Sequence, residues 1–362
     1  MKCKYALFVI VLTLLLSPLL YFPTHAQDEN PNPPADPVKL IFIHHSCGEN
    51  WLTDGNGDLG LRLSENNYFV SDTNYGWGPD SIGDATDIVN WPQWFTGPES
   101  GRYTDALYNE SGQLSSYTRT ISDPGGKNRI IMFKSCFPNS NLAGNPGDPP
   151  GDYAEQTVSG AKYVYNQLLT YFLTRPDKLF VVITAPPVQD PTYTQNARAF
   201  NEWLVHDWLA ENDYPLNNVA VWDFHNVLSH PDNHHHYRNG AIEYITEHGD
   251  GTLYYDSSGD NHPREEGNQK ATQEFIPMLN IFYHRWIAEA PEGLAGEVEE
   301  PIQEEAGEEP PAEEEESQPE TSFPQDFALG EMIDDFEGGM DTWEAFWDES
   351  SPTAFSCRAC RS

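Results

Sequence analysis

The chain has 362 residues with 57 acidic and 19 basic side chains, which gives a formal net charge of -38 at pH 7. Nucleic-acid binding needs a basic footprint, so this composition excludes that class of function. The length suits one α/β domain of good size with appended segments.

The N-terminal residues 1–26 resemble a secretory signal peptide. Lysines at positions 2 and 4 precede an apolar run over 6–20, and Thr24-His25-Ala26 offers a small-residue cleavage site. The apolar run is short and contains Pro18, which disfavours an uncleaved anchor. We therefore expect a secreted or periplasmic protein with no stable membrane span after cleavage.

Strand-like and helix-like patterns alternate between residues 38 and 289. Apolar runs rich in β-branched residues predict strands at 40–43, 68–71, 129–134, 179–184 and 219–222. Helical spacing of apolar residues predicts helices at 59–66, 153–173, 194–212 and 264–289. This alternation is typical of a parallel sheet with helices on both faces, so we predict a three-layer α/β/α fold with about five central strands.

A serine follows the first predicted strand in the run His44-His45-Ser46-Cys47-Gly48. Open α/β sheets place their chemistry at the carboxyl ends of their strands, which makes Ser46 a candidate nucleophile. On this run alone, an ordinary strand-to-loop junction is the better interpretation.

Two further loops could reach the same edge of the sheet. Gly76 and Gly78 lie in the aromatic-rich segment 72–94, where a backbone N–H could face Ser46, although turn glycines without a chemical role are equally common. Asn139 and Asn141 follow the third strand. An asparagine amide can donate to a developing oxyanion there, but asparagine is also a common turn residue.

A histidine precedes the last predicted helix. Asp260 stands two residues before His262, so its carboxylate could orient the imidazole and leave the other ring nitrogen as a base. Asp256 is a second candidate for the orienting role if the loop folds back. Alone, a histidine in front of a helix is more often a capping or surface residue.

Other histidines give weaker signals. We predict that His234-His235-His236 lies in a solvated polar loop, where neighbouring imidazoles point in different directions, so we expect no metal there. Asp223 and His225 follow the fifth strand, and a capping or structural role is the better interpretation for both.

Two cysteines, Cys47 and Cys136, each follow a predicted strand. In an exported protein, a disulfide between them is slightly favoured over two buried free thiols. The motif Cys357-Arg-Ala-Cys360 lacks a second pair of ligands, so it gives little support for a zinc or redox site.

The C-terminal part has a different composition. Residues 290–325 are rich in Glu, Pro and Ala, which predicts a disordered, self-repelling acidic linker. Residues 326–362 contain strand-like runs but are too few to build a core, so we predict a truncated β module or a docking tail.

From Val38 to Ile287 the pattern resembles the SGNH/GDSL hydrolase superfamily. The resemblance rests on the strand order, the early serine, the strand-end asparagines, the Ala-Pro-Pro run at 185–187 and the late His-Pro pair at 262–263. It implies a flavodoxin-like α/β/α fold. It also implies Ser46 as nucleophile, His262 as base and Asp260 as orienting carboxylate.

The resemblance further implies an oxyanion hole made by the Ser46 backbone N–H, one of Gly76 or Gly78, and one of Asn139 or Asn141. It requires no metal and no cofactor. The sequence departs from the family in three places: His44-His45-Ser46 replaces the usual Gly-Asp-Ser, the Gly-x-Asn-Asp signature is not recognisable, and Gly259 stands where the family aspartate usually lies.

We therefore expect a secreted serine ester hydrolase that acts through an acyl-enzyme on a small ester or an acetylated carbohydrate. The carbohydrate expectation comes from the run MIDDFEGG at 332–339, which weakly resembles the first strand of β-sandwich carbohydrate-binding modules. Two alternatives stay open. One is a non-catalytic extracellular carbohydrate-binding protein on the same fold, with the aromatic loop lining its groove. The other is a lipase-like esterase.

Overall fold

A five-stranded parallel sheet forms the centre of the computed structural model, which describes residues 29–256 and 259–289. Its strands are β1 (Val38–Ile43), β2 (Tyr68–Thr73), β3 (Ile130–Lys134), β4 (Leu179–Ile183) and β5 (Val219–Trp222). Their spatial order is β2-β1-β3-β4-β5, and every neighbouring pair is parallel. This is the flavodoxin-like order, and it confirms the predicted fold class. The predicted signal peptide, acidic linker and C-terminal tail lie outside the described residues.

Helices connect these strands. They are α1 (Ser46–Leu52), α2 (Leu59–Glu65), α3 (Trp91–Phe95), α4 (Ser100–Asn109), α5 (Val158–Phe172), α6 (Thr194–His206), α7 (Trp208–Glu211), α8 (Phe224–Ser229) and α9 (Glu265–Glu289). Among the described helices, none combines the length and the apolar character that a membrane span needs.

The sheet is buried on both faces, and alternate residues of each strand enter different cores. In β1, Leu40 and Phe42 pack with α1, α2, α8 and α9, whereas Ile41 and Ile43 pack with α3 to α7. Since side chains alternate across a strand, a continuous apolar run is what a strand with two covered faces requires. The fold therefore has three layers.

An aromatic cluster packs the C-terminal end of α1 against α8 and α9. The Trp51 ring stacks on Phe224 with ring centroids 4.6 Å apart, and its indole Nε1 donates to Thr272 Oγ1 at 2.9 Å. Trp51 is fully buried. Because Ser46 begins α1 and α9 follows His262, this packing sets the distance between the two candidate catalytic residues.

The structure differs from the sequence-based expectation at several elements, and the helix predicted at 153–173 begins only at Val158. Ser46 starts a helix directly rather than a loop, and the predicted helix 194–212 is divided at Asp207. The predicted polar loop around residue 235 is wrong: β6 (His234–Arg238) and β7 (Ala241–Ile245) form an antiparallel hairpin. Its turn is Asn239-Gly240, with φ of 53° and 87°, and Asn-Gly is a favoured hairpin turn.

Candidate active site

A serine and a histidine that are 216 positions apart in the sequence meet at the carboxyl edge of the sheet. Ser46 Oγ lies 2.8 Å from His262 Nε2. Ser46 comes from the start of α1, just beyond β1, and His262 comes from the loop that precedes α9. The structure thus brings together the predicted nucleophile and the predicted base, at the distance that proton transfer requires.

Asp260 occupies the other side of the imidazole. Its Oδ2 lies 3.3 Å from His262 Nδ1, and its Oδ1 accepts from the His262 backbone N–H at 3.0 Å. A carboxylate at Nδ1 favours the proton on that nitrogen, which leaves Nε2 to accept from the Ser46 hydroxyl. The Asp260 side chain is 56% exposed, so the carboxylate is largely solvated.

The alternative carboxylate, Asp256, makes different contacts. Its Oδ1 accepts from Gln189 Nε2 at 2.6 Å and from the Gly259 backbone N–H at 3.1 Å, and Asp256 also pairs with Pro263 in an isolated antiparallel bridge. These bonds fasten the ends of the loop that carries His262. Asp256 therefore supports the loop, and Asp260 is the carboxylate at the imidazole.

Two more contacts hold this loop against neighbouring segments. Asn261 has a left-handed φ of 65°, and its Oδ1 accepts from the Gln189 backbone N–H at 2.8 Å. The Phe137 ring meets the His262 ring edge to face at a centroid distance of 5.3 Å. The imidazole is thereby confined between the segment after β3 and the segment after β4.

A buried histidine–aspartate pair lies behind the nucleophile. His44 Nε2 is 3.1 Å from Asp72 Oδ2, and both side chains are fully buried. Burial alone would raise the pKa of Asp72, but hydrogen bonds from His44, Ser115 and Leu114 lower it below its ordinary value. This pair joins the ends of β1 and β2. His44, the first residue of the His-His-Ser run, therefore has a structural role.

The second histidine of that run connects Ser46 to the aromatic loop. His45 Nε2 contacts the Gly83 carbonyl oxygen at 2.6 Å, and its Nδ1 lies 3.0 Å from Thr86 Oγ1. Burial lowers the pKa of His45. Tyr75 stacks on the His45 ring at 3.9 Å.

Sequence reasoning did not single out Tyr75 as a site residue. Its side chain is 61% exposed. Partial burial of the phenol raises the pKa of Tyr75, and a hydrogen bond with the Ser46 side chain acts in the opposite direction. The phenol therefore lies beside the nucleophile. The sequence signal that could have identified Tyr75 is its position just after the end of a predicted strand and beside two candidate glycines.

The predicted oxyanion donors have other partners. The Gly76 backbone N–H donates to Asp84 Oδ1 at 2.7 Å. The Asn139 amide donates to Asp87 Oδ1 at 2.7 Å, and its oxygen accepts from the Ile88 backbone N–H at 2.8 Å. Both residues thus hold the loop after β2.

The other two candidates take part in turns. The Gly78 carbonyl accepts from the Ser81 backbone N–H at 3.2 Å, and the Asn141 backbone N–H donates to the Pro138 carbonyl at 3.1 Å. Gly78 adopts a φ of 78°, which favours glycine at this position. Whether any of these four residues donates a hydrogen bond to an oxyanion therefore stays a prediction.

The two cysteines behind Ser46 are free thiols. Cys136 Sγ lies 3.5 Å from Cys47 Sγ and 3.7 Å from Ser46 Oγ. Hydrogen bonding from Cys47 lowers the pKa of Cys136 well below its ordinary value, and the nearby charge of Lys134 adds to this effect. The hydrogen bond to Cys136, together with burial, raises the pKa of Cys47. The structure therefore contradicts the disulfide and agrees with the two-thiol alternative.

Asp223 and His225 have structural positions, as predicted. Asp223 Oδ1 accepts from the Asn226 backbone N–H at 3.0 Å, which caps α8, and from Thr184 Oγ1 at 2.8 Å. His225 is buried, and burial lowers its pKa to about 4.

Two groups of side chains in the described part of the chain could hold a metal ion. One comprises His234, His236 and Glu274, and the other comprises His230, Asp232 and His248. Neither group includes Ser46 or His262.

No protein-family model and no curated protein match the chain. One solved structure similar to it is described as a carbohydrate esterase whose active site displays divergent catalytic and non-catalytic binding functions. It has 12% identity, covers 69% of this chain and 68% of its own, and has a TM-score of 0.34. Another is a carbohydrate esterase family 2 enzyme plus carbohydrate binding domain from Corynascus thermopiles (Myceliophthora fergusii). It has 12% identity, coverage of 70% and 68%, and a TM-score of 0.31. At these TM-scores the likeness carries no argument about this chain.

Proposed function

We propose that the protein is a serine ester hydrolase of SGNH type, with Ser46 as nucleophile, His262 as base and Asp260 as the carboxylate that orients the base. The observation that carries this proposal is the 2.8 Å contact between Ser46 Oγ and His262 Nε2. A serine hydroxyl is a weak nucleophile until a neighbouring base removes its proton. The contact supplies that base.

The reaction divides ester hydrolysis into two steps. His262 Nε2 takes the hydroxyl proton as Ser46 Oγ attacks the ester carbonyl carbon, and the imidazolium then returns the proton to the departing alcohol. This leaves an acyl group on Ser46. A water molecule, deprotonated by the same nitrogen, releases the acid and restores the serine. Asp260, 3.3 Å from Nδ1, stabilises the imidazolium in both steps.

For the oxyanion we propose the Ser46 backbone N–H together with the Tyr75 hydroxyl. Ser46 is the first residue of α1, so its N–H has no partner within that helix. The Tyr75 phenol lies beside the Ser46 side chain, and a phenol is protonated at neutral pH and therefore able to donate. Removing one oxyanion donor typically lowers kcat by about 100-fold to 1,000-fold.

For the substrate we propose a short acyl ester, such as an acetyl group, on a carbohydrate. Cys136 Sγ and the Phe137 ring contact Ser46 and His262 directly, which supports a small acyl group. The exposed Tyr75 ring beside Ser46 supports an alcohol that stacks on aromatic surfaces, as sugar rings do. We also propose export of the protein, supported by the sequence of residues 1–26.

Kinetics on defined esters test the proposal. We expect hydrolysis of p-nitrophenyl acetate and acetylated xylan, and poor activity on long-chain p-nitrophenyl esters. Ser46→Ala should lower kcat by about 1,000-fold or more. Ser122→Ala, an exposed serine in the loop before β3, is the matched control and should retain activity. Equal hydrolysis by wild type and Ser46→Ala would refute the proposal, and a preference for long-chain esters would favour a lipase-like enzyme.

A second candidate is a non-catalytic carbohydrate-binding protein on the same fold. The observation that favours it is that the Gly76 backbone N–H donates to Asp84 and the Asn139 amide donates to Asp87, so two of the expected oxyanion donors have other acceptors. The binding-protein hypothesis predicts saturable binding of acetylated oligosaccharides without hydrolysis. Binding that survives Ser46→Ala, with no ester hydrolysed by the wild type, would establish it.

A further inference from the structure

The β6–β7 hairpin places two imidazoles on one face. His234 and His236 are two positions apart in β6, so their side chains share a face of the strand, and His235 lies on the opposite face. The rings of His234 and His236 stack with centroids 4.4 Å apart and planes inclined by 16°. The strand geometry therefore overturns the expectation that these histidines diverge.

Two carboxylates complete this cluster. Glu274 projects from α9, is 8% exposed, and places its Oε1 2.7 Å from His234 Nδ1, while its Oε2 accepts from the His235 backbone N–H. Glu243 is the cross-strand partner of His236, and its Oε2 lies 3.0 Å from His236 Nε2. One ligand atom from each of His234, His236 and Glu274 lies within 4.8 Å of the others.

We propose that His234, His236 and Glu274 bind one divalent metal ion of the zinc class. Two imidazoles and a carboxylate are a donor set that suits Zn²⁺ better than Ca²⁺ or Mg²⁺, which prefer oxygen ligands alone. Glu243 accepts a hydrogen bond from His236 Nε2 and so presents Nδ1 to the ion, the outer-carboxylate arrangement found around many metal-bound histidines. Water fills the remaining position.

The fit requires small side-chain movements. Metal–ligand bonds of about 2.0–2.1 Å in a tetrahedral site place ligand atoms roughly 3.3 Å apart. The distance between His234 Nδ1 and Glu274 Oε1 must therefore increase from 2.7 Å. The largest distance between ligand atoms of the group, which is at most 4.8 Å, must decrease. Rotations of the partly exposed imidazoles can supply both changes, because neither ring is fully enclosed.

One cation faces the site. Lys270 Nζ lies 3.0 Å from Glu274 Oε1 and also donates to the carbonyls of Val227 and Asn233. Its positive charge pairs with the Glu274 carboxylate and repels a metal ion. The proposal therefore predicts that Lys270→Gln tightens metal binding, and weaker binding in that variant would refute Glu274 as a ligand.

The bound ion would connect the hairpin to α9. Glu274 lies in the third turn of that helix, and α9 begins three residues after His262. A metal at this place would cross-link β6 to the helix that anchors the candidate base, so it stabilises the fold without entering the reaction. The site is independent of the proposed ester hydrolysis.

The proposal is tested by isothermal titration calorimetry. The full chain is first stripped of metal with a chelator and then titrated with Zn²⁺. We expect one equivalent to bind and to raise the melting temperature. His236→Ala should weaken Zn²⁺ binding by about 100-fold or more, since the loss of a residue that only orients a metal ligand already costs about 10–100-fold. This side chain is partly exposed, so the variant should fold, which circular dichroism checks.

Two matched controls locate the ion. His284→Ala removes an imidazole from the same helix, and His248→Ala disrupts the neighbouring group of His230, Asp232 and His248. Both should leave Zn²⁺ affinity unchanged if the proposal holds. Absence of saturable binding, unchanged affinity in folded His236→Ala, or loss of binding in His248→Ala alone would each overturn it.

Discussion

Two regions of the molecule bring histidines together with acidic residues in different ways. At the edge of the sheet, His262 has a hydroxyl at one nitrogen and a carboxylate at the other. At the β6–β7 hairpin, His234 and His236 face the carboxylates of Glu274 and Glu243. The first set can move a proton between a base and a nucleophile, whereas the second offers several ligand atoms to one ion.

This comparison shows that the groups in contact with the ring nitrogens of an imidazole, rather than its burial, decide which chemistry it can perform. The imidazoles of His262 and His234 are similarly exposed, at 25% and 23% of the side chain. Only His262 holds a serine oxygen within 2.8 Å.

The largest effect is expected for His262→Ala. This variant removes the base from Ser46, so ester hydrolysis should fall by about 1,000-fold or more while the fold persists. His284→Ala, on α9, serves as the control and should keep wild-type kcat. If His262→Ala retained kcat, the contrast between the two histidine regions would lose its basis.

A stability effect is expected from His225, which lies in α8. Burial lowers its folded pKa from 6.5 to about 4, so the unfolded chain takes up a proton at higher pH than the folded chain does. Its contribution to stability is therefore complete above pH 6.5, falls with decreasing pH, and is lost by about pH 4, for a total of about 3 kcal/mol.

Urea unfolding at several pH values measures this contribution. His225→Gln should flatten the pH dependence of the free energy of unfolding between pH 6.5 and 4 relative to the wild type. An unchanged slope would show that other groups cause the acid sensitivity.

A smaller loss of activity is expected for Asp260→Asn. The carboxylate at His262 Nδ1 is largely exposed, so its replacement should lower kcat by about 100-fold, less than the loss of about 10,000-fold known for a buried orienting aspartate. Asp256→Asn, which loosens the bonds to Gln189 and Gly259, should cost less than about tenfold. A larger loss in Asp256→Asn than in Asp260→Asn would reverse the assignment.

The smallest effect is expected for a methyl group added behind the nucleophile. A Cβ at Gly48 would lie 2.3 Å from His44 Cβ, so Gly48→Ala should lower the free energy of unfolding by about 2 kcal/mol. Gly101→Ala in α4 meets nothing within 4 Å and should stabilise by about 0.5 kcal/mol. Equal unfolding midpoints in urea for the two variants would contradict the close approach of α1 to His44.

Much of the fold could be predicted because the strands carry continuous apolar runs. Such runs identify both the strands and their carboxyl ends, which placed Ser46 at the edge of the sheet. The pairing of Ser46 with His262 came from the resemblance to the SGNH/GDSL superfamily. The helix that starts at Ser46 was missed because Ser-Cys-Gly is a weak helix former and its helix has only seven residues. Packing of Trp51 supplies the missing stability.

The rest depended on contacts between distant residues. The hairpin was missed because His234-His235-His236 shows no apolar alternation, although Asn239-Gly240 was a usable turn signal. The engagement of Asn139 with Asp87 and the approach of Tyr75 to Ser46 arise from the path of the loop after β2. No local pattern encodes that path.

The central claim is that Ser46 is an activated nucleophile. Its most direct test is labelling of the full chain with a serine-reactive phosphonate, followed by mass spectrometry and peptide mapping. We predict one phosphonyl adduct on Ser46, none in Ser46→Ala, and strongly slowed labelling in His262→Ala. The absence of an adduct on Ser46, or labelling of Ser46 at the wild-type rate without His262, would contradict it.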